Sequence, residues 1–185
     1  MKKVVSISLG SSKRNHTVEV EIGGELFHVE RIGTDGDMQK MIAMIGELDG
    51  KVDVFGLGGM DLYIYSQKRR YTLRDAKAVV KAAQKTPIVD GSGLKNTLER
   101  RVIAYLREKT PLLDNKPHVL MMCGVDRFGM AEALEEAGCR ITCGDLVFGV
   151  GVPIPLRSLR ALDWVARIFA PLVSQLPFSM LYPTG

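Results

Sequence analysis

Gly124 and Gly129 stand five residues apart, Asp126 lies between them, and Asp145 follows Gly124 by 21 residues. The two glycines have the spacing of the first and last glycines of G-x-G-x-x-G, and an acid about 20 residues on is where an adenosine ribose is held. The chemistry outlined is the seating of a dinucleotide, its diphosphate on backbone amides and its ribose on a carboxylate. Two elements must carry such a turn. Val119 to Cys123 is an apolar run suited to a buried parallel strand, and Met130, Ala133, Leu134 and Ala137 recur at helical spacing before Gly138. The segment therefore reads as a strand, turn, helix and second strand.

Asp126 occupies the place of the middle glycine, where the fingerprint wants bare backbone. Two negative charges about 4 Å apart repel by about 1 kcal/mol in water and about 4 kcal/mol at an effective dielectric of 20. Arg127 is positioned in sequence to compensate, on Asp126 or on a phosphate. Two readings stand for Gly124, Arg127, Gly129 and Asp145: they hold a cofactor, or the glycines let a tight strand-to-helix turn pack closely while Asp126 caps the helix.

Lys95 lies in the loop DGSGLKNT, 90 to 97, just before a predicted helix. It is not a phosphate loop of the G-x-x-x-x-G-K-[ST] type, because Lys95 follows Gly93 by two residues and precedes Asn96. A lysine there feels the positive end of the helix, and Asp90 opposes that effect. An amine between these influences can exchange a proton with a substrate hydroxyl. The alternative is a solvated lysine beside an ordinary cap.

Composition bounds the class. With 185 residues, 46% hydrophobic and 25% charged, the chain suits one domain or one plus a fragment. No apolar run is long enough for a bilayer and no secretory leader is visible, which predicts a cytoplasmic, non-membrane protein. A formal charge of +4 is too small to imply nucleic-acid binding, although Lys68, Arg69 and Arg70 form a basic turn. Cys123, Cys139 and Cys143 read as reduced, packed thiols, and the C-x3-C pair lacks a nearby third metal ligand.

Val4 to Leu9, Thr17 to Ile22 and Leu26 to Ile32 read as three strands of an antiparallel meander, the last two joined by Gly23-Gly24. Asp37 caps a helix bearing Met38, Met41, Ile42 and Ile45, which leads into strand Val52 to Phe55. A helix from Thr72 to about Gln84, a short strand Pro87 to Val89 and a helix Asn96 to Lys109 with an Asn96/Glu99 capping box follow. TPLLDNKP, 110 to 117, reads as a linker. The expected fold is α/β: an N-terminal β-meander plus α/β layers over 1–115 as the substrate subdomain, then a partial Rossmann-like βαβ unit with a C-terminal helix over 116–185. That helix, 156 to 176, carries Arg157, Arg160 and Arg167 beside an apolar stripe. The apolar end, Leu176 to Tyr182, predicts a missing C-terminal portion or a homo-oligomer that covers it. SLGSSKRNH, 8 to 16, is a glycine-serine turn able to form an anion nest.

SLGSSKRNH, RIGTDGD at 31 to 37, DGSGLKNTLERR at 90 to 101, VDRFGMAEALEEAG at 125 to 138 and PIPLRSLRAL at 153 to 162 together resemble a family of bacterial dehydrogenases commonly labelled quinate 5-dehydrogenase, or quinate/shikimate dehydrogenase-like. The resemblance spans nearly the whole chain. It implies an oxidoreductase that uses NAD or NADP on a hydroxylated carboxylate, a small-molecule substrate. Shikimate dehydrogenases pair a lysine with an aspartate at the substrate, and the counterparts here are Lys95 as base and Asp90 as its orienting partner. Gly124, Arg127, Gly129 and Asp145 would hold the cofactor, with Arg14 or Arg69 on the substrate carboxylate. The rival expectation is a noncatalytic nucleotide- or phosphate-binding module that docks a partner through helix 156–176.

Overall fold

A computed structural model describes residues 1–66 and 69–181. In chain order the elements are β1 (Lys2–Ser8), β2 (His16–Ile22), β3 (Glu25–Gly33), α1 (Met38–Leu48), β4 (Val54–Gly58), β5 (Tyr63–Ser66), β6 (Arg69–Thr72), α2 (Ala76–Ala82), β7 (Ile88–Val89), α3 (Ser92–Asn96), α4 (Leu98–Lys109), β8 (His118–Met121), α5 (Phe128–Glu136), β9 (Arg140–Cys143), α6 (Asp145–Val150), α7 (Leu159–Val173) and α8 (Phe178–Leu181). The protein is α/β, and it divides into two compact units. The first holds residues 1–63, 72–91 and 175–185, and the second 64–71 and 92–174. The division falls at Gly91, not near residue 115. The α4 helix packs on α5 inside the second unit, so TPLLDNKP is an internal turn of that unit and no linker.

The first unit is a five-stranded sheet of order β2-β3-β1-β4-β7. The expected meander is corrected here: β1 pairs with β3, in parallel, and with β4, while β2 pairs only with β3. The reason lies in burial. Val5 and Ile7 are fully buried, which requires neighbours on both edges of β1, whereas β2 alternates charge with valine and stays exposed as an edge strand. Gly23 and Gly24, at φ of 62 and 81, close the β2–β3 hairpin with two positive φ angles that side chains resist. Ile7 and Phe55 on the sheet and Met41 and Ile45 on α1 are all fully buried, each contributing about 1.5–3 kcal/mol by leaving water.

Helix α1 begins where its sequence says it should, with the Asp37 carboxylate accepting the Lys40 amide at 2.9 Å. At its far end Asp49 accepts from the amides of Gln84, Lys85 and Thr86 at 2.8–3.1 Å, tying the helix to the segment that enters β7. These bonds, that of Thr86 first, hold the Asp49 carboxyl below its usual range. Because the folded value is depressed, this stabilisation is complete above the unfolded value near 4 and fades as pH falls through the folded one. Asp49→Asn should therefore lower the melting temperature at pH 7 and flatten its decline as pH falls below about 4, read by circular dichroism. A parallel decline in both proteins would refute the assignment.

The second unit contains the expected βαβ element. Strands β8 and β9 are parallel, with Val119 beside Ile141 and Met121 beside Cys143, and α5 crosses between them. Gly138, at φ 84, ends α5 with its amide on the Glu135 carbonyl, and the next amide returns to Leu134. Phe128, Leu134, Ile141, Cys143 and Leu162 fill the core. The predicted helix 96–109 is α4, which starts two residues later at Leu98 and is preceded by the short α3. Thr97 stands between α3 and α4 without capping through its side chain, and Asn96 accepts from Arg100 instead of capping with Glu99. Helix α7 starts at Leu159, later than expected, because the Ser158 hydroxyl accepts the Ala161 amide. Lys68 and Tyr182 lie outside the described residues. No helix among the described residues is long and apolar enough to cross a membrane.

Candidate functional site

The turn between β8 and α5 brings most of the sequence-predicted residues of the second unit together. Asp145, at the start of α6 just after β9, accepts the Gly124 amide at 2.9 Å and the Val125 amide at 2.8 Å. The acid and the turn thus share the carboxyl ends of adjacent parallel strands, as a dinucleotide unit requires. The carboxylate is spent on the amides themselves, however, and stands where a phosphate would. Gly124 is also required by packing, since a Cβ there would sit 2.6 Å from Cys143 Sγ and 3.0 Å from Leu162 Cδ2. A Cβ on Gly129 would meet Asn96 Oδ1 at 2.7 Å, so that glycine admits the close approach of α3 to α5.

The charge problem of Asp126 is solved by a residue other than Arg127. Lys95 Nζ donates to Asp126 Oδ1 at 2.6 Å, with the two side chains 23% and 31% exposed. Arg127 pairs instead with Glu99, and Arg100 with Glu132, so three ion pairs fasten α3 and α4 to the turn and to α5. Glu99 Oε2 is buried without a hydrogen bond. Within its own unit Lys95 has Asp126 as its acid. Asp90, predicted for that role, belongs to the first unit and accepts the Leu62 amide at 2.7 Å. Sequence spacing missed the Lys95–Asp126 pair because 31 residues separate the partners.

The thiols beside the turn are held protonated. Burial pushes Cys143 up to about 12, with the Asp145 charge adding to it. Cys123 reaches the surface, but desolvation of its sulfur pushes it up to about 11, opposed by a backbone bond from Asp126 and reinforced by the Asp145 and Asp126 carboxylates. Neither is an activated nucleophile at neutral pH. Among the described residues no group of three or more histidine, cysteine and acidic side chains is arranged to hold a metal.

A second constellation lies in the first unit, at the carboxyl end of β1. The parallel register sets Ser6 beside Arg31 and Ser8 beside Gly33 on one side, and Ser6 beside Gly56 and Ser8 beside Gly58 on the other. Side-by-side residues share a face, so Arg31 rises from a floor of serine and glycine. Its guanidinium donates from Nη2 to Ser8 Oγ at 3.0 Å and from Nη1 to the Ser11 carbonyl at 3.2 Å. Arg14 comes to the same place. Its Nη2 lies 2.8 Å, and that of Arg31 3.1 Å, from the point where a Cβ on Gly10 would sit, which puts the two within about 6 Å of each other. At about 6 Å two positive charges repel by about 0.7 kcal/mol in water and about 3 kcal/mol at an effective dielectric of 20. No carboxylate pairs with either arginine among the described residues. The predicted nest in SLGSSKRNH is internally filled: the Gly10 amide goes to Ser8 Oγ, that of Ser12 to Asp35 and that of Lys13 to Ser11 Oγ.

The fold and these sites define a two-unit α/β protein with charged clusters at the carboxyl ends of parallel strands in each unit. Residues 93–185, just over half of the chain, match the family described as Domain of unknown function (DUF8754), and the chain belongs to that family. Residues 3–90 match Domain of unknown function (DUF8753), so the two matches meet where the compact units change at Gly91. No curated protein and no solved structure matches the chain.

Proposed function

We propose that the protein is an NAD- or NADP-dependent oxidoreductase acting on a hydroxylated carboxylate of the quinate or shikimate type, with Lys95 as its proton-transfer residue. The observation that carries the reading is the Lys95–Asp126 pair, an ammonium on α3 and a carboxylate 2.6 Å apart, the carboxylate on the turn that holds Gly124 and meets Asp145. The resemblance to quinate and shikimate dehydrogenases implies a lysine and aspartate pair with Asp90 as the partner of Lys95, and here that orienting role passes to Asp126. In carbonyl reduction the Lys95 ammonium donates a proton to the oxygen, and in alcohol oxidation the amine takes it back, while Asp126 orients it. The dinucleotide, when bound, supplies the hydride acceptor.

The turn's fit to that group has two sides. Lys95 neutralises Asp126, and Gly124 presents no side chain, both of which suit a diphosphate. The Gly124 and Val125 amides already hold Asp145, so a diphosphate reaches them only by displacing that carboxylate. Three free cysteines accord with the cytoplasm as the protein's compartment.

Lys95→Met should lower turnover of quinate or shikimate about a hundredfold in a nicotinamide absorbance assay, the scale of a positioned acid-base group, and should weaken dinucleotide binding by about fivefold or more, because Asp126 is then left uncompensated beside the diphosphate. Calorimetry without heat from either NAD or NADP would overturn the reading. A second reading, the noncatalytic phosphate- or nucleotide-binding module that docks a partner, is favoured by one specific feature. Trp164, Ile168 and Leu172 are exposed at spacings of four along α7, Trp164 by 63%, as a docking helix would present them. Quenching of Trp164 by ATP but not by NAD or NADP selects that module.

A further inference from the structure

We propose that Arg14 and Arg31 form an oxyanion site over Gly10, at the carboxyl end of β1, which takes the carboxylate or phosphate group of a small ligand. The site stands apart from the dinucleotide reading, since every residue in it belongs to the first unit. Its argument is convergence. Two guanidinium groups approach one bare Cα, with Nη2 atoms 2.8 and 3.1 Å from the position of a missing Cβ and Ser8 Oγ at 3.2 Å. Several cations elsewhere in the protein sit on acids, Lys95 on Asp126, Arg100 on Glu132, Arg127 on Glu99 and Arg167 on Asp163. Arg14 and Arg31 face each other with no such partner among the described residues.

The arrangement is also built. Arg31 is aimed by two bonds, to Ser8 Oγ and to the Ser11 carbonyl, which leave three of its five N–H donors for a ligand. Ser8 is itself buried and bonded to the Gly10 amide at 3.1 Å, which fixes the acceptor that fixes the arginine. Arg14 is exposed and makes no side-chain hydrogen bond among the described residues, so none of its five donors is taken there by another group of the protein. A planar fork beside a second cation is the geometry that receives a carboxylate or a phosphate. Open α/β sheets bind ligands at this edge.

The test is titration of the full chain with sodium phosphate and, separately, sodium quinate, by calorimetry at low and moderate chloride and without dinucleotide. Saturable binding that weakens with salt is expected. Arg14→Gln should weaken it about tenfold or more, the size of a lost charge-assisted bond, whereas the charge-matched control Arg107→Gln on the exposed side of α4 should leave it within about twofold. Arg31→Lys, which keeps the charge but loses the fork, should weaken it as well. Arg14 supports no internal bond, so its variant tests the site even where an Arg31 variant fails to fold. Binding of phosphate alone identifies a phosphorylated ligand, binding of quinate alone a carboxylate, and binding of both the shared oxyanion chemistry; each supports the site. Equal affinities in Arg14→Gln and Arg107→Gln, or no binding of either probe, would overturn it. Because no dinucleotide is present, neither result bears on Lys95.

Discussion

Gly33→Ala is expected to destabilise the protein by about 3 kcal/mol, the upper part of the range for overpacking, and to lower the melting temperature by roughly 6–12 °C. A Cβ at this position would sit 2.5 Å from the carbonyl carbon and oxygen of Ser11 and 2.6 Å from the Gly10 carbonyl oxygen. All three are backbone atoms, so no side chain can swing away to relieve the overlap. The loop from Gly10 to Ser12 would have to lift from the end of β3. That loop is held by the Asn15 amide oxygen on the Gly33 amide at 2.6 Å and by Asp35 on the Ser12 amide at 2.7 Å, and both bonds would stretch. Gly46→Ala supplies the opposite sign. Gly46 lies inside α1 with nothing within 4 Å of the new Cβ, so the substitution should stabilise by about 0.5–1 kcal/mol through helix propensity alone. Thermal unfolding followed by circular dichroism reads both variants. A Gly33→Ala protein that melts with the wild type would mean that the approach of Gly10 and Ser11 to β3 is not a feature of the folded chain. The same variant displaces the platform under Arg14 and Arg31, which links the packing of this loop to oxyanion binding.

What the sequence disclosed and what it hid divide along the distance between partners. Local signals were legible: Asp37 capping α1 through the residue three along, Gly23-Gly24 closing a hairpin, and Gly138 ending α5 are each written in a few consecutive residues. The parallel pair β8–β9 was legible for the same reason, because a strand, a helix and a strand in close succession have one favoured arrangement. The order of the first sheet was not. Nothing within VVSIS tells which strand lies beside it, and the pairing of β1 with β3 is a long-range choice made by burying Val5 and Ile7. Arg31 was invisible as a site residue on this account. Its partner Ser8 lies 23 residues away and is reached only through the parallel register. The Asn96/Glu99 capping box was the reverse case, a local signal outweighed by tertiary contacts. Glu99 goes to Arg127 and Asn96 to Arg100, two stronger charged or bonded partners than a helix end offers. The Asp145 position was anticipated as the acid beside the Gly124 turn, while its occupation of the amides was not, since spacing fixes where a carboxylate falls and not which donors it meets.

Asp145→Ala should cost about 3 kcal/mol, because it removes the charged acceptor of two backbone amides at once, each such bond being worth about 1.5–3 kcal/mol before solvent is allowed to share in it. Gly124 is buried, so its amide is left with little water to turn to, whereas Val125 is half-buried and recovers part of its loss. The first turn of α6 also loses an acidic residue at its positive end, about 0.3–1 kcal/mol more. Asp145→Asn should cost less than the alanine variant, since one side-chain oxygen remains to accept. The informative measurement is the melting temperature of each protein with and without inorganic phosphate. Wild type and variant share Arg14 and Arg31, so any contribution from those residues is common to both, and the extra shift in Asp145→Ala reports the two amides alone. A larger phosphate-induced rise in the variant means that Gly124 and Val125 form a true anion seat that the carboxylate keeps filled, and a dinucleotide then competes with Asp145 for it. An equal rise means that the amides hold their own carboxylate through packing and offer nothing to a phosphate, which removes the seat on which the oxidoreductase reading depends while leaving Lys95 and Asp126 as a structural pair.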